Sequence, residues 1–155
     1  MVLPKYCLDS YGKTARCLAY SMGAKLYAAY RLPDDCFTNA KVTVDLVFFQ
    51  KFSDKPRIGD NGWCHAPYAR IGVNKHRLNQ HFIQHSEHII GTLTDFYLTR
   101  YNRMELTCKR NGNLFDQMAQ RLKALPAPLM QPSDWRKQTI QQVINEAEWL
   151  LKQLK

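Results

Sequence analysis

Apolar side chains recur at three- and four-residue steps over residues 11–31, where Tyr11, Ala15, Leu18, Ala19, Met22, Leu26, Ala29 and Tyr30 form one stripe behind a capping Asp9 or Ser10. That period predicts an amphipathic helix, ended by Pro33. From Lys41 to Phe49 the period shortens to two, with Val42, Val44, Leu46 and Phe48 set against Thr43 and Asp45. A half-buried strand follows from that alternation and from its β-branched and aromatic content. The stretch Gln50 to Trp63, with Pro56 and the turn-forming Gly59-Asp60-Asn61-Gly62, reads as a loop.

Ala69, Ile71 and Val73 alternate with Arg70 and Gly72, which fits a short strand or a turn into the next helix; both readings stay open. Asn74 is expected to cap a helix running toward Tyr101, with Leu78, Phe82, Ile89, Leu93 and Phe96 on its core face and a break near Gly91. Met104, Leu106 and Cys108 predict a second strand, ended by Asn111-Gly112-Asn113, and Phe115 to Leu125 returns to helix. Pro126, Pro128 and Pro132 stiffen a connector over 126–133. Beyond it, 134–155 forms an amphipathic helix with Ile140, Val143, Ile144, Ala147, Leu151 and Leu154 in one stripe. The expected architecture is α+β: one domain over 1–155 with helices packed on a small β-sheet and this C-terminal helix docked on its own core or on a second copy.

At 155 residues, 45% of them hydrophobic, the chain can bury one core without covalent staples. Its five cysteines form no C-x-x-C pair and are expected as reduced thiols in a cytoplasmic protein. The opening Met-Val-Leu-Pro-Lys lacks the apolar centre of a signal peptide, and no run approaches the roughly 18 apolar residues of a membrane span, so no membrane association is expected. The net charge of +9 changes the picture more. Lys and Arg exceed Asp and Glu along the whole chain instead of in one tail, so an anionic partner would meet several elements at once. Nucleic acid, DNA or RNA, is the expected partner; ordinary solubility charge is the bland alternative.

The run Gly72-Val73-Asn74-Lys75-His76-Arg77-Leu78-Asn79-Gln80-His81-Phe82 resembles the turn and recognition helix of TetR-type repressors. The resemblance implies a DNA-binding regulator in which Lys75, His76, Arg77, Asn79 and Gln80 face a major groove, Arg, Asn and Gln being well suited to base edges. A plain helix start with solvated charges is the competing reading. Further candidate nucleic-acid contacts are Lys13, Arg16 and Arg31, which share an outer helical face with Tyr20 and Tyr27. Lys51, Lys55 and Arg57 follow in the loop, then Arg100 and Arg103 beside Tyr97, Tyr101, Lys109 and Arg110.

His81, His85 and His88 fall on one helical edge with Asp95 two turns on, but the ligand spacing is incomplete, and neither a metal nor another cofactor is expected. There is no nucleophile elbow and no phosphate-cradling glycine loop, so no catalytic residue is assigned. Trp149, opposite the apolar stripe of the last helix, is a candidate contact for a protein partner or homodimer. A non-enzymatic nucleic-acid-binding protein is the leading expectation. A structural or adaptor subunit of a nucleoprotein complex comes second, and a nuclease using His85 or His88 with Asp95 third.

Overall fold

The computed structural model describes residues 1–51, 62–98 and 101–125. In chain order they form β1 (Val2–Pro4), α1 (Tyr6–Asp9), α2 (Lys13–Ser21), β2 (Ala24–Leu32), β3 (Val44–Lys51), β4 (Tyr68–Ile71), β5 (Asn74–Arg77), α3 (Gln80–Gln84), β6 (Thr92–Leu98), β7 (Arg103–Lys109) and α4 (Leu114–Lys123). Short 3-10 turns occupy Gly62–Cys64 and Ser86–His88. Met1–Ala124 forms a compact unit of mixed helices and small antiparallel sheets, an α+β arrangement. The expected connector 126–133, the C-terminal helix 134–155 and Trp149 lie outside the described residues, as do Lys55, Arg57 and Arg100.

Residues 11–31 do not form one helix. Helix α2 stops at Ser21, and Gly23 takes the left-handed φ of +94° that turns the chain into β2. Strand β2 then pairs antiparallel with β3, placing Tyr30 opposite Leu46 and Arg31 opposite Asp45. Tertiary pairing overrides a helical period here because Tyr27 and Tyr30 suit a strand equally well, and Ala28, Ala29 and Tyr30 are buried only in the sheet. Of the expected stripe in this part of the chain, Tyr11, Ala15, Leu18 and Met22 are exposed and Ala19 packs against the core beside Cys17 and Tyr20, while Arg16 is buried.

Strand β3 lies where the alternation places it, but it is the central strand, flanked by β1 and β2. Its two edges are thus paired, and side chains on both of its faces are buried in its first half, Asp45 as completely as Val47, instead of on one face only. The expected helix from Asn74 to Tyr101 is replaced by β5, the short α3, a 3-10 turn and β6. Gly72 adopts a φ of +60° in the turn joining β4 to β5, so the alternation from Ala69 continues as a hairpin. Asn79 caps α3, accepting from the His81 backbone at 3.0 Å. With no helix reaching it, Gly91 breaks none; it leads into β6 with a φ of +143°, and a Cβ there would collide with the Lys109 carbonyl. Strands β6 and β7 form the second hairpin, and α4 follows the Asn111-Gly112-Asn113 turn, with Asn113 as its cap. Leu8, Leu26, Ala29, Val47, Trp63, Leu78, Phe82 and Leu106 make the core that holds the sheet, the helices and the hairpins together.

Candidate nucleic-acid interface

A cleft of about 380 Å³ opens where α1 and the turn after it meet the β4–β5 hairpin and β7. Its chemistry follows from strand register. Tyr68 on β4 stands directly opposite Arg77 on β5, so the ring and the guanidinium share one face of the hairpin. The Arg77 guanidinium lies 4.6 Å from the Tyr68 ring centre and 3.8 Å from that of Tyr11. It also donates to the Ala66 carbonyl at 2.9 Å, and the Tyr11 and Tyr68 hydroxyls sit 3.3 Å apart. The Tyr68 hydroxyl and the neighbouring cation hold the Tyr11 phenol below its ordinary pKa. Both rings remain largely exposed, Tyr11 at 76% and Tyr68 at 59%.

Opposite them, β7 contributes Arg103 and Glu105, and the segment entering α1 contributes Lys5 and Tyr6. Glu105 accepts from Lys5 at 3.0 Å and from the Tyr6 hydroxyl at 3.2 Å, and pairs with Arg103 at 2.6 Å. Burial works against its charge, but these donors outweigh it and hold the Glu105 carboxyl below the usual range. Asp9, the other carboxylate of the cleft, is taken by Arg31 at 2.7 Å. Among the described residues no carboxylate pairs with Lys75 or Arg77. Lys5, Lys75, Arg77 and Arg103 thus leave the cleft positive even after Glu105 is counted, with tyrosine rings between the cations.

The structure therefore brings together three of the residues singled out from sequence, Lys75, Arg77 and Arg103. It removes others from any surface role. Arg31 is fully buried on Asp45 and Asp9; Arg16 is buried, donating to the carbonyls of Cys64, Cys7 and Ser10. Asn79 is fully buried and donates to the Leu8 and Trp63 carbonyls. With residues 74–77 in a strand and both His76 and Asn79 buried, no recognition helix starts at Asn74, and the resemblance to a TetR-type turn does not extend to structure. Lys13 and Lys51 are exposed but do not line the cleft, and Gln80 is half-buried on α3. The basic cluster of the second hairpin is largely neutralised: Lys109 pairs with Asp34 at 2.5 Å and Arg110 with Asp35 at 2.9 Å. Lys5, Tyr6 and Tyr68 were not foreseen. The usable signal was the Gly72-Val73 turn between alternating runs, which sets Tyr68 across from Arg77.

The three histidines do converge, through α3 and the 3-10 turn instead of one long helix. Their ring centres lie 4.9 to 5.2 Å apart, and His81 Nε2 is 3.0 Å from His88 Nδ1. They pack on β2: His81 Nε2 meets both backbone groups of Ala29, and the His88 ring lies 4.7 Å from that of Tyr30. Burial, then His88 and His85, pushes His81 down to about 4, so this imidazole is neutral. Among the described residues no set of three or more His, Cys, Asp or Glu is arranged to hold a metal ion. Asp95 bonds with Asn74 and stands 3.5 Å from His76. It is therefore engaged by the β4–β5 hairpin, and the pairing with His85 or His88 that the third-ranked nuclease alternative needs does not form.

Comparisons with protein families, curated proteins and solved structures find no match. No helix among the described residues is long and apolar enough to cross a membrane.

Proposed function

We propose that this chain is a non-enzymatic nucleic-acid-binding protein and that the cleft between α1, the β4–β5 hairpin and β7 is where it binds. The observation that carries this reading is the arrangement of Arg77 against Tyr11 and Tyr68, with Lys75 and Arg103 lining the same cleft and Glu105 already committed to Lys5 and Arg103. Lys75 and Arg77 have no carboxylate partner among the described residues, and Arg77 lies against two exposed rings, so that one cleft offers both the positive charge that phosphate requires and the aromatic surface that a base requires. The net charge of +9 adds long-range attraction to the same partner. The test is binding of fluorescently labelled single- and double-stranded DNA and RNA, followed by anisotropy across a salt series. Binding that weakens steeply with salt, and weakens further in Lys75→Gln, is expected; no binding to any of the four at low salt would refute the proposal.

A further inference from the structure

We infer that the cleft selects single strands over duplexes, stacking unpaired bases on the outer faces of Tyr11 and Tyr68 while Lys75 and Arg103 meet the backbone phosphates. This rests on the nucleic-acid reading above and goes further, since charge alone would favour the denser phosphates of a duplex. Arg77 covers one face of each ring, at 3.8 and 4.6 Å. With one face covered, exposures of 76% and 59% leave the opposite faces open to solvent. The guanidinium donates to the Ala66 carbonyl and the two hydroxyls are in contact, an arrangement that favours this ring geometry before any ligand arrives.

A flat π-surface offers its stacking energy only to a base with a free face. In a duplex both faces of every internal base are covered by neighbours, and reaching one requires unstacking it. Single strands present such faces at no comparable cost. Tyrosine also suits the role sterically, because a ring with two rotatable bonds loses little entropy on contact. Lys75, exposed on β5 two residues before Arg77, and Arg103 on β7 place cations in the same cleft for the sugar-phosphate chain that links the stacked bases.

The experiment is competition between a single-stranded oligonucleotide and its own blunt duplex on the full chain, compared with Tyr68→Leu, Tyr11→Leu, Tyr68→Phe and Lys75→Gln. The unsubstituted protein should prefer the single strand. Either leucine substitution should weaken single-strand binding by roughly tenfold or more while changing duplex binding little, and Tyr68→Phe should retain the preference that leucine loses. Lys75→Gln should weaken both ligands together. Because both tyrosines are exposed, unfolding midpoints of the leucine variants should match the parent, and the two variants check one another. Equal affinity for strand and duplex, insensitive to either leucine substitution, would overturn the single-strand inference while leaving the nucleic-acid reading intact. Failure of the parent to bind either form would overturn both.

Discussion

Arg31 grips Asp45 with two parallel hydrogen bonds, at 2.8 and 2.9 Å, and both side chains are wholly buried. The third arm of the guanidinium reaches Asp9 at 2.7 Å, and the other oxygen of Asp9 accepts from the Asn79 backbone at 2.9 Å. Phe82 packs against the guanidinium face at 4.3 Å. One cation thereby ties β2, β3, α1 and the start of α3 together. Burial opposes the charge, but the two carboxylates outweigh it and keep Arg31 protonated.

Removing one member of such a buried set leaves an uncompensated charge. Arg31→Ala and Asp45→Ala should each lower unfolding free energy by about 3–5 kcal/mol in urea titrations, and Arg31→Lys should also be destabilising because a single ammonium cannot reproduce the bidentate contact. A loss below about 1 kcal/mol, the range of an exposed pair, would show that the network is not closed in solution.

Asn79 separates a structural role from a groove-reading one. Its side chain caps α3 and donates to two buried carbonyls. Asn79→Ala should therefore cost about 2–4 kcal/mol of stability and leave nucleic-acid affinity unchanged at temperatures where the variant is folded. Altered sequence preference with unchanged stability would restore the repressor-like reading.

Acid should weaken the fold through the histidine cluster before the carboxylates titrate. The folded pKa of His81 is about 4 against 6.5 for a free histidine. As pH falls below 6.5 the unfolded chain takes up a proton that the folded chain refuses, so stability declines until about pH 4 and then levels for this group. His88, also lowered by burial, acts in the same direction. The shift corresponds to at most roughly 3 kcal/mol. Urea unfolding at stepped pH should show the decline, and His81→Gln should flatten it; a profile level from neutrality to pH 4 would contradict the buried, neutral imidazole.

Thiol reactivity should follow burial. Cys64 and Cys108 are buried and pushed up to about 12, whereas Cys7 is exposed. Alkylation of the native protein, mapped by peptide mass spectrometry, should label Cys7 first and Cys64 and Cys108 only on unfolding. Rapid native labelling of Cys108 would contradict its placement in the core.

How much of this was legible in the chain depended on where the decisive contact lay. Strand β7, the helix that follows the Asn111-Gly112-Asn113 turn and the position of β3 follow from alternation and local turn chemistry, and the structure keeps them. Strand β2 was hidden because Leu26, Ala29 and Tyr30 satisfy a helical stripe as well as a sheet, and only pairing with β3 decides between them. Arg16 and Arg31 read as surface cations because a buried arginine shows itself only once Asp9, Asp45 or a set of carbonyls is brought to it from a distant element. Lys75, Arg77 and Arg103 stand out by charge; Tyr68 joins them through the register of the hairpin turned at Gly72-Val73, a local signal, whereas Tyr11 and Lys5 belong to the site through the packing of α1 and the turn after it, which no local pattern encodes.

The decisive measurement is the salt dependence of single-strand binding by the parent and by Lys75→Gln, plotted as log affinity against log salt. If Lys75 meets a phosphate in the cleft, affinity falls linearly with log salt and the substitution reduces the slope by about 0.7, the share of one contact on a single strand. Parallel slopes for the two proteins, or no binding by the parent at low salt, would contradict a nucleic-acid site in this cleft.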